Sequence, residues 1–510
     1  MATFVVRRLI ASIFIFIAAT YLMYVLTAFA GDPLEDLRTG NAPNKLELIE
    51  ARTRLLNLDV PVFLRYFIWL GGIFGLTGKG FDLGVTVQNQ PVTVLLAQAA
   101  GSTLQLVTLA SLIAIILGVI VGITTALRQY SGYDYGVTFL SFLFFSLPIF
   151  WVAVLLKQYL AIGFNDFLRD PHIEWWVIVA LAILAGLIWG SIIPGSLRRK
   201  AITFGIATLA TGGVLAYIEL SDWFKYPHIG LPGVAVTAIG IAFGVTAIST
   251  GLRRKQALRA SLVVAGIGIA IYFPFMAWLS FYLDFWTFIL LAVATVAISF
   301  GIGWFMGGDD RMPVARTAAI VGFLVGGIIA LDRFMQVWDD YAASGRIKGR
   351  PIATIGSQTP GLEGSLWVHG IDFFTHLLLP TVALILISFA SYTRYSRASL
   401  LEVMNQDYIR TARAKGLTER TVVVRHAFRN ALIPIATIVA FDIGGIIGGA
   451  VITERVFGWT GMGALFQNGL DHVDPNPVMA FFLVTGGLAI LFNLIADLVY
   501  AGLDPRIRVS

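Results

Sequence analysis

The polar chemistry of this chain is concentrated between Arg394 and Asn430. Thr411-Ala412-Arg413-Ala414-Lys415 favours helix, and Gly416 offers a helix end free of β-carbon strain. Thr418 can then cap a second helix. At 100° per residue Val423, Val424, Ala427, Phe428 and Ala431 share one side of that helix, while Arg425, His426 and Arg429 occupy the other. The expected product is a helix-Gly-helix elbow ending at Pro434, with Arg410, Arg413 and Lys415 adding to its basic surface. Such a surface suits coupling to a partner rather than bond chemistry. Patterning alone somewhat favours the plainer reading, an ordinary basic amphipathic loop resting on anionic headgroups.

Two acids stand inside long apolar runs, where a charge near a helix centre costs about 2.5 to 3.5 kcal/mol on insertion scales. Asp442 is followed by Gly444, Gly445, Gly448 and Gly449, small residues that permit close helix packing or a pliable pore wall. Asp442, Gly445, Gly449 and Glu454 are the candidates for a translocation path, against the reading that Asp442 pairs with another helix. Asp497 reads as structural, and Lys157 is placed to snorkel to an interface. His172, His228, His369, His376 and His472 are scattered without ligand spacing, so neither a metal site nor a bound cofactor is expected. No phosphate-binding Gly-x-x-x-x-Gly-Lys, His-Glu-x-x-His or nucleophile elbow occurs, so no catalytic residue is assigned.

The elements that carry these residues follow from composition. Of 510 residues, 57% are apolar and 13% charged, where soluble proteins carry about 25% charged. A mean hydropathy of +0.81 leaves too little polar surface for a soluble enzyme, and the apolar content excludes a disordered chain. The net charge of +6 is read as loops that set membrane orientation, not as nucleic-acid binding. The absence of cysteine excludes disulfides and thiolate chemistry. An all-α polytopic membrane protein is expected.

Runs of roughly 20 apolar residues, enough to cross about 30 Å of hydrocarbon, fall near 9–30, 103–126, 136–162, 174–194, 201–219, 231–251, 260–282, 285–306, 317–336, 373–392, 431–451 and 478–502. The first run exceeds a signal-peptide core although Ala28-Phe29-Ala30 imitates a cleavage site, so it is read as a retained helix. Residues 31–100 form an external loop or small lobe with a short helix around Leu46 to Leu56. Basic turns at Arg198-Arg199-Lys200, Arg253-Arg254-Lys255 and Arg311 with Arg316 alternate with acidic ones, as in three helical hairpins with cytoplasmic basic turns. The echo of Leu197-Arg198-Arg199-Lys200 in Leu252-Arg253-Arg254-Lys255 reads either as an internal repeat or as coincidence. Twelve spans put both termini in the cytoplasm.

Two ordered motifs carry a resemblance. The run Asp407-Tyr408-Ile409-Arg410-Thr411-Ala412-Arg413-Ala414-Lys415-Gly416-Leu417, followed by Arg425-His426-Ala427-Phe428-Arg429-Asn430-Ala431-Leu432-Ile433-Pro434, resembles the cytoplasmic "EAA" loop of ABC importer permeases. Its closest likeness is to the dipeptide, oligopeptide and nickel subfamily; Arg410 and Thr411 replace the usual Glu and Ala. Gly31-Asp32-Pro33, Leu58-Asp59-Val60-Pro61, Ser146-Leu147-Pro148-Ile149-Phe150-Trp151, Glu454-Arg455-Val456-Phe457 with Gly461-Met462-Gly463, and Leu503-Asp504-Pro505-Arg506 extend the likeness over 1–165 and 366–510.

The resemblance implies a six-span ABC importer permease core, split as 1–165 and 366–510, with about six extra spans inserted at 166–365, roughly 12 transmembrane helices in all. It implies import of dipeptides or oligopeptides across the cytoplasmic membrane by alternating access. The implied partners are a homologous second permease subunit, two ABC ATPase domains that use ATP and Mg, and an external substrate-binding lipoprotein, with membrane lipids around them. Arg410 to Leu417, with Arg425, His426 and Arg429, would be the ATPase-coupling loop. The insert reads either as a docking site or scaffold, or as a lipid-facing addition without a transport role. The alternatives are a nickel or other solute importer of the same family, a twelve-span secondary transporter, and a membrane-embedded transferase. The secondary transporter should show two six-span halves, and the transferase has only Asp309 and Asp310 as adjacent inner acids.

Overall fold

The computed structural model describes residues 2–503 apart from 42, 77, 79, 194, 281, 282, 433, 437 and 440–449. The described residues contain no strand, only a single antiparallel bridge between Val85 and Pro91. Helix is what the sequence demands, because apolar surroundings leave a spanning backbone to satisfy its own hydrogen bonds. Among the described residues nine helices are long and apolar enough to cross a membrane, or eleven counting two bent pairs. The remaining expected span, 431–451, lies largely outside the described residues.

The chain divides into two compact units. One comprises 1–160, 354–357 and 377–510, the other 161–353 and 358–376. The divisions fall at 160 and 376, against expected boundaries of 165 and 365, and the second lies inside the helix Leu366–Met404.

In the first unit the helix Val92–Leu127 has 36 residues, so it is about 54 Å long, well beyond the roughly 30 Å of a hydrocarbon core. Val92, Leu96 and Ala99 pack with Tyr24, Tyr66 and Trp69 in one cluster, and Ala126 joins Leu400 and Ile409 in another. A single rigid rod thus ties the lobe of residues 31–91 to the elbow. It passes Leu366–Met404 at Gly118 and Gly122: a β-carbon on Gly122 would stand 2.6 Å from the Thr393 carbonyl oxygen and 2.7 Å from the Ser396 Cβ. Close backbone approach through small residues four apart is how helices pack without a hydrophobic driving force.

The span expected at 136–162 is broken near its middle. Gly132–Ser146 ends at an extended Leu147, and the helix that resumes at Ile149 runs 104° away. Pro148 lacks an N–H and pushes the preceding residue out of the helical region, so the break is built into Ser146-Leu147-Pro148. Beyond it Lys157 donates to the Val456 carbonyl at 3.4 Å rather than reaching only for an interface.

The second unit holds Trp175–Ile192 against Leu197–Leu220, and a bundle of Gly230–Ser249, Lys255–Ala270, Phe285–Met306 and Arg311–Gln336. Lys255–Ala270 bends by 55° into Tyr272–Leu279, so the span expected at 260–282 is also broken. Asp332 is fully buried and accepts from the Ile229 amide at 2.6 Å, the Gly230 amide at 3.2 Å, the Tyr272 hydroxyl at 2.5 Å and Gln336 Nε2 at 3.2 Å. Four donors replace the water this acid gave up, and they seat the start of Gly230–Ser249. His376 is buried, with Nδ1 2.8 Å from the Asp372 carbonyl oxygen.

Candidate functional site

The elbow begins at the helix Asp407–Ala414. Ile409 and Ala412, three apart, are buried against Leu400 and Ala126, while Arg410, Thr411, Ala414 and Lys415 face outward. Arg410 makes only a loose pair with Asp407 at 3.7 Å. The Gly416 amide bonds the Arg413 carbonyl at 2.9 Å and the Leu417 amide the Ala412 carbonyl at 3.4 Å, the double closure of a Schellman end. Gly416 sits at φ +76°, and a β-carbon there would meet nothing within 4 Å, so backbone strain alone selects glycine.

Arg413 clamps this turn by reaching across it. Its Nε donates to Glu419 Oε2 at 3.2 Å and its Nη2 to Oε1 at 2.7 Å. These hydrogen bonds hold the Glu419 carboxyl below its usual range and raise Arg413, although both groups are largely solvated. Thr418 caps the next turn as expected, accepting from the Thr421 amide at 3.4 Å.

From Val422 to Phe428 the second helix is a π-helix, and this alters its face. Val422, Ala427 and Ala431 are buried, spaced five and then four apart. The expected apolar side is therefore corrected: Val422 takes the inner seat and Val424 is 55% exposed, because i to i+5 turns shift the register away from 100° per residue. Arg425 and Arg429 face outward as expected, and His426 is half-buried. Asn430 donates to the Tyr408 hydroxyl at 3.1 Å, and Ser399 to the Ala431 carbonyl at 2.9 Å, pinning both arms. A cavity of about 680 Å³ opens beside the elbow, between Ala126, Leu401 and Met404 on one wall and Arg413, Glu419 and Val424 on the other.

Sequence reasoning missed how the neighbouring helix is held. Arg397 forks onto Asp134, Nε to Oδ1 at 2.7 Å and Nη2 to Oδ2 at 2.9 Å, and Asp134 also accepts from the Tyr130 amide. Arg394 stacks over Phe145 at 4.0 Å. The signals were legible as Gly118-x-x-x-Gly122 and as two arginines one turn apart.

Of the candidate path residues, Asp442, Gly445 and Gly449 lie outside the described residues, as does the side chain of Asp497. Glu454 is fully buried in the helix Val451–Phe457. Its Oε1 accepts from Thr103 Oγ1 at 2.7 Å, and its Oε2 from the Gly463 and Ala464 amides at 2.7 and 3.2 Å. Burial raises its carboxyl above the usual range, partly opposed by these donors. The Met462 amide returns to Thr103 Oγ1 at 2.8 Å and Trp459 Nε1 to the Ser102 carbonyl at 3.2 Å. A β-carbon on Gly463 would stand 2.6 Å from Val451 Cα. Glu454 thus ties Val451–Phe457 and Met462–Asp471 to the long helix, with both carboxyl oxygens engaged by the chain's own donors.

A second clasp holds the lobe. Asp474 accepts from the Val87 amide at 2.8 Å and the Asn476 amide at 3.2 Å, while Asn476 Nδ2 donates to the Val85 carbonyl at 2.7 Å. Burial pushes the Asp474 carboxyl up to about 6.

Residues 240–509 match the family described as "Binding-protein-dependent transport system inner membrane component", a stretch that takes in part of 166–365. The chain is 44% identical over 155 residues to the oligopeptide transport system permease protein OppB of Mycobacterium tuberculosis, covering 30% of this chain and 48% of that protein. It is 45% identical over 137 residues to the oligopeptide transport system permease protein AppB of Bacillus subtilis, covering 27% and 43%. Over 177 residues it is 36% identical to the dipeptide transport system permease protein DppB of Escherichia coli, covering 34% and 52%. The chain spans about half the length of the curated relatives it matches. Since the family match takes in more than half of its residues, this chain belongs to the binding-protein-dependent transport system inner membrane components.

Proposed function

We propose that this chain is the permease subunit of an ABC importer for dipeptides or oligopeptides in the cytoplasmic membrane, with both termini inside. It works beside a homologous second permease, two ABC ATPase domains and an external substrate-binding lipoprotein. ATP and Mg act in those ATPases, and this chain binds no cofactor and catalyses no bond chemistry. In this reading 1–165 and 366–510 form the six-span core, and 166–365 is an insertion within it. Asp442, Gly445 and Gly449 line the path.

The elbow is the observation that carries the proposal. A force applied to the exposed Arg410, Lys415 and Leu417 passes through Ile409 and Ala412 into two long helices at once. Closing of the ATPases pushes on this lever, and the Val92–Leu127 rod transmits the push toward the outer lobe. Import follows by alternating access.

Gly416→Asp tests it in the assembled transporter. The added β-carbon meets no neighbour, so the cost is backbone strain of roughly 1 kcal/mol or more, too small to unfold the chain. Membrane abundance should be unchanged, while substrate-stimulated ATP hydrolysis falls as the carboxylate and the strained turn disturb the contact surface. Normal stimulation at normal abundance would return the elbow to the role of a headgroup-binding loop.

A further inference from the structure

We propose that the second unit holds one anionic phospholipid, with an acyl chain in an apolar groove of its bundle and the phosphate on Arg333. Two cavities of about 130 and 190 Å³ lie along the bundle and share Phe275, Thr295 and Gly326 as walls. A cavity of about 150 Å³ lined by Leu, Ile and Phe stays dry and takes an apolar guest, and these two are of that scale. Both lie within helices long and apolar enough to span a membrane, so the guest at hand is a lipid chain.

The headgroup assignment comes from helical register. On Arg311–Gln336, Ile329, Gly322, Arg333 and Gly326 fall within a sector of about 60° at 100° per residue. The first, second and fourth line the groove, so Arg333 continues the same face about two turns beyond Gly326. Helical side chains lean toward the N-terminus, which here is back toward the groove.

Arg333 is also short of partners. Its Nε is buried without a hydrogen-bond acceptor, and Asp340, the acid whose charge it feels, makes no ion pair with it among the described residues. The adjacent Asp332 is already occupied by four donors. An unpaired guanidinium at the mouth of an apolar groove is complementary to a phosphate above an acyl chain. Trp286, 75% exposed at the start of Phe285–Met306, is of the residue type that gathers at headgroup level, and it marks the same end of the bundle as Arg333. The site would give the second unit a use of its own, as a seat for a bound lipid.

The test uses the full chain in nanodiscs doped with phosphatidylglycerol or phosphatidylcholine, each carrying a diazirine in one acyl chain. Crosslinks should map to groove residues such as Phe275 and Phe323, with about fivefold preference for phosphatidylglycerol, the size one arginine near the surface supplies. Gly327→Leu should abolish groove labelling; Gly327 lines the wider cavity, and its β-carbon would meet nothing within 4 Å, so the fold tolerates the change. Arg333→Gln should keep the labelling and lose the preference. Wild-type labelling of the Gly327→Leu protein, or equal labelling of the native groove by both lipids, would overturn the proposal.

Discussion

The elbow at 407–430 and the knot around Glu454 resemble the same family in sequence, yet they use their charges in opposite ways. In the elbow, Arg410, Arg413, Lys415 and Arg425 face solvent and the apolar anchors are few. In the knot, the charged residue is fully buried, and every acceptor bond the structure gives it goes to the chain's own donors. A motif that recurs in a family can therefore be either a surface offered to a partner or an internal brace. The separating quantity is how much of its hydrogen-bonding capacity is left over.

The sharpest way to break that contrast is Glu454→Ala. It strands Thr103 and the Gly463 and Ala464 amides in a buried site, at a cost of about 3 kcal/mol or more. Thermal unfolding of the purified chain should shift far down, and Glu454→Gln should recover much of the loss by keeping one acceptor oxygen. A Glu454→Ala protein of wild-type stability that fails only in transport would move Glu454 from brace to path.

The Asp474 clasp predicts a smaller, pH-dependent effect. Its folded carboxyl titrates near 6, above the ordinary carboxylate value, so the folded state holds the proton more tightly. Its contribution is fully present below about pH 4 and is lost as pH rises through about 6, by at most about 3 kcal/mol. Asp474→Asn, which keeps an acceptor for the Val87 amide, should flatten the stability profile across that window. An unchanged profile would remove Asp474 as its cause.

Arg413→Ala should do least to stability. Its pair with Glu419 is solvated on both sides, and such pairs are worth about 0 to 1 kcal/mol. If the elbow is an outward-facing surface, this variant unfolds like the wild type and loses part of its ATPase stimulation. A large drop in unfolding temperature would make the ion pair a brace as well, and the contrast with Glu454 would fail.

Much of this was legible in the residues. Apolar run length gave the spans, and Gly416 and Thr418 marked the turn and cap that the structure shows. What escaped notice were departures from regular geometry and long-range pairs. Counting apolar residues treats Ser146-Leu147-Pro148 as transparent, though the proline bends the path by 104°. A fixed 100° wheel cannot anticipate a π-helix, so Val424 and Val422 exchanged roles. Asp332 went unremarked because its partners Ile229 and Tyr272 lie 103 and 60 residues away, and Arg397 because Asp134 lies 263 away. Asp442, the acid that drew most notice in sequence, lies outside the described residues.

The central claim, that the elbow is the surface on which an ATPase acts, is open to a direct measurement because the chain has no cysteine. Leu417→Cys and Lys415→Cys place single thiols on its outward side, and Ala464→Cys places one beside the Glu454 knot. A short thiol-to-amine crosslinker is applied to the complete transporter with and without ATP. The account predicts nucleotide-dependent crosslinks from positions 415 and 417 to the ATPase and none from 464. Crosslinks to lipid alone from 415 and 417, at wild-type ATP hydrolysis, would contradict it.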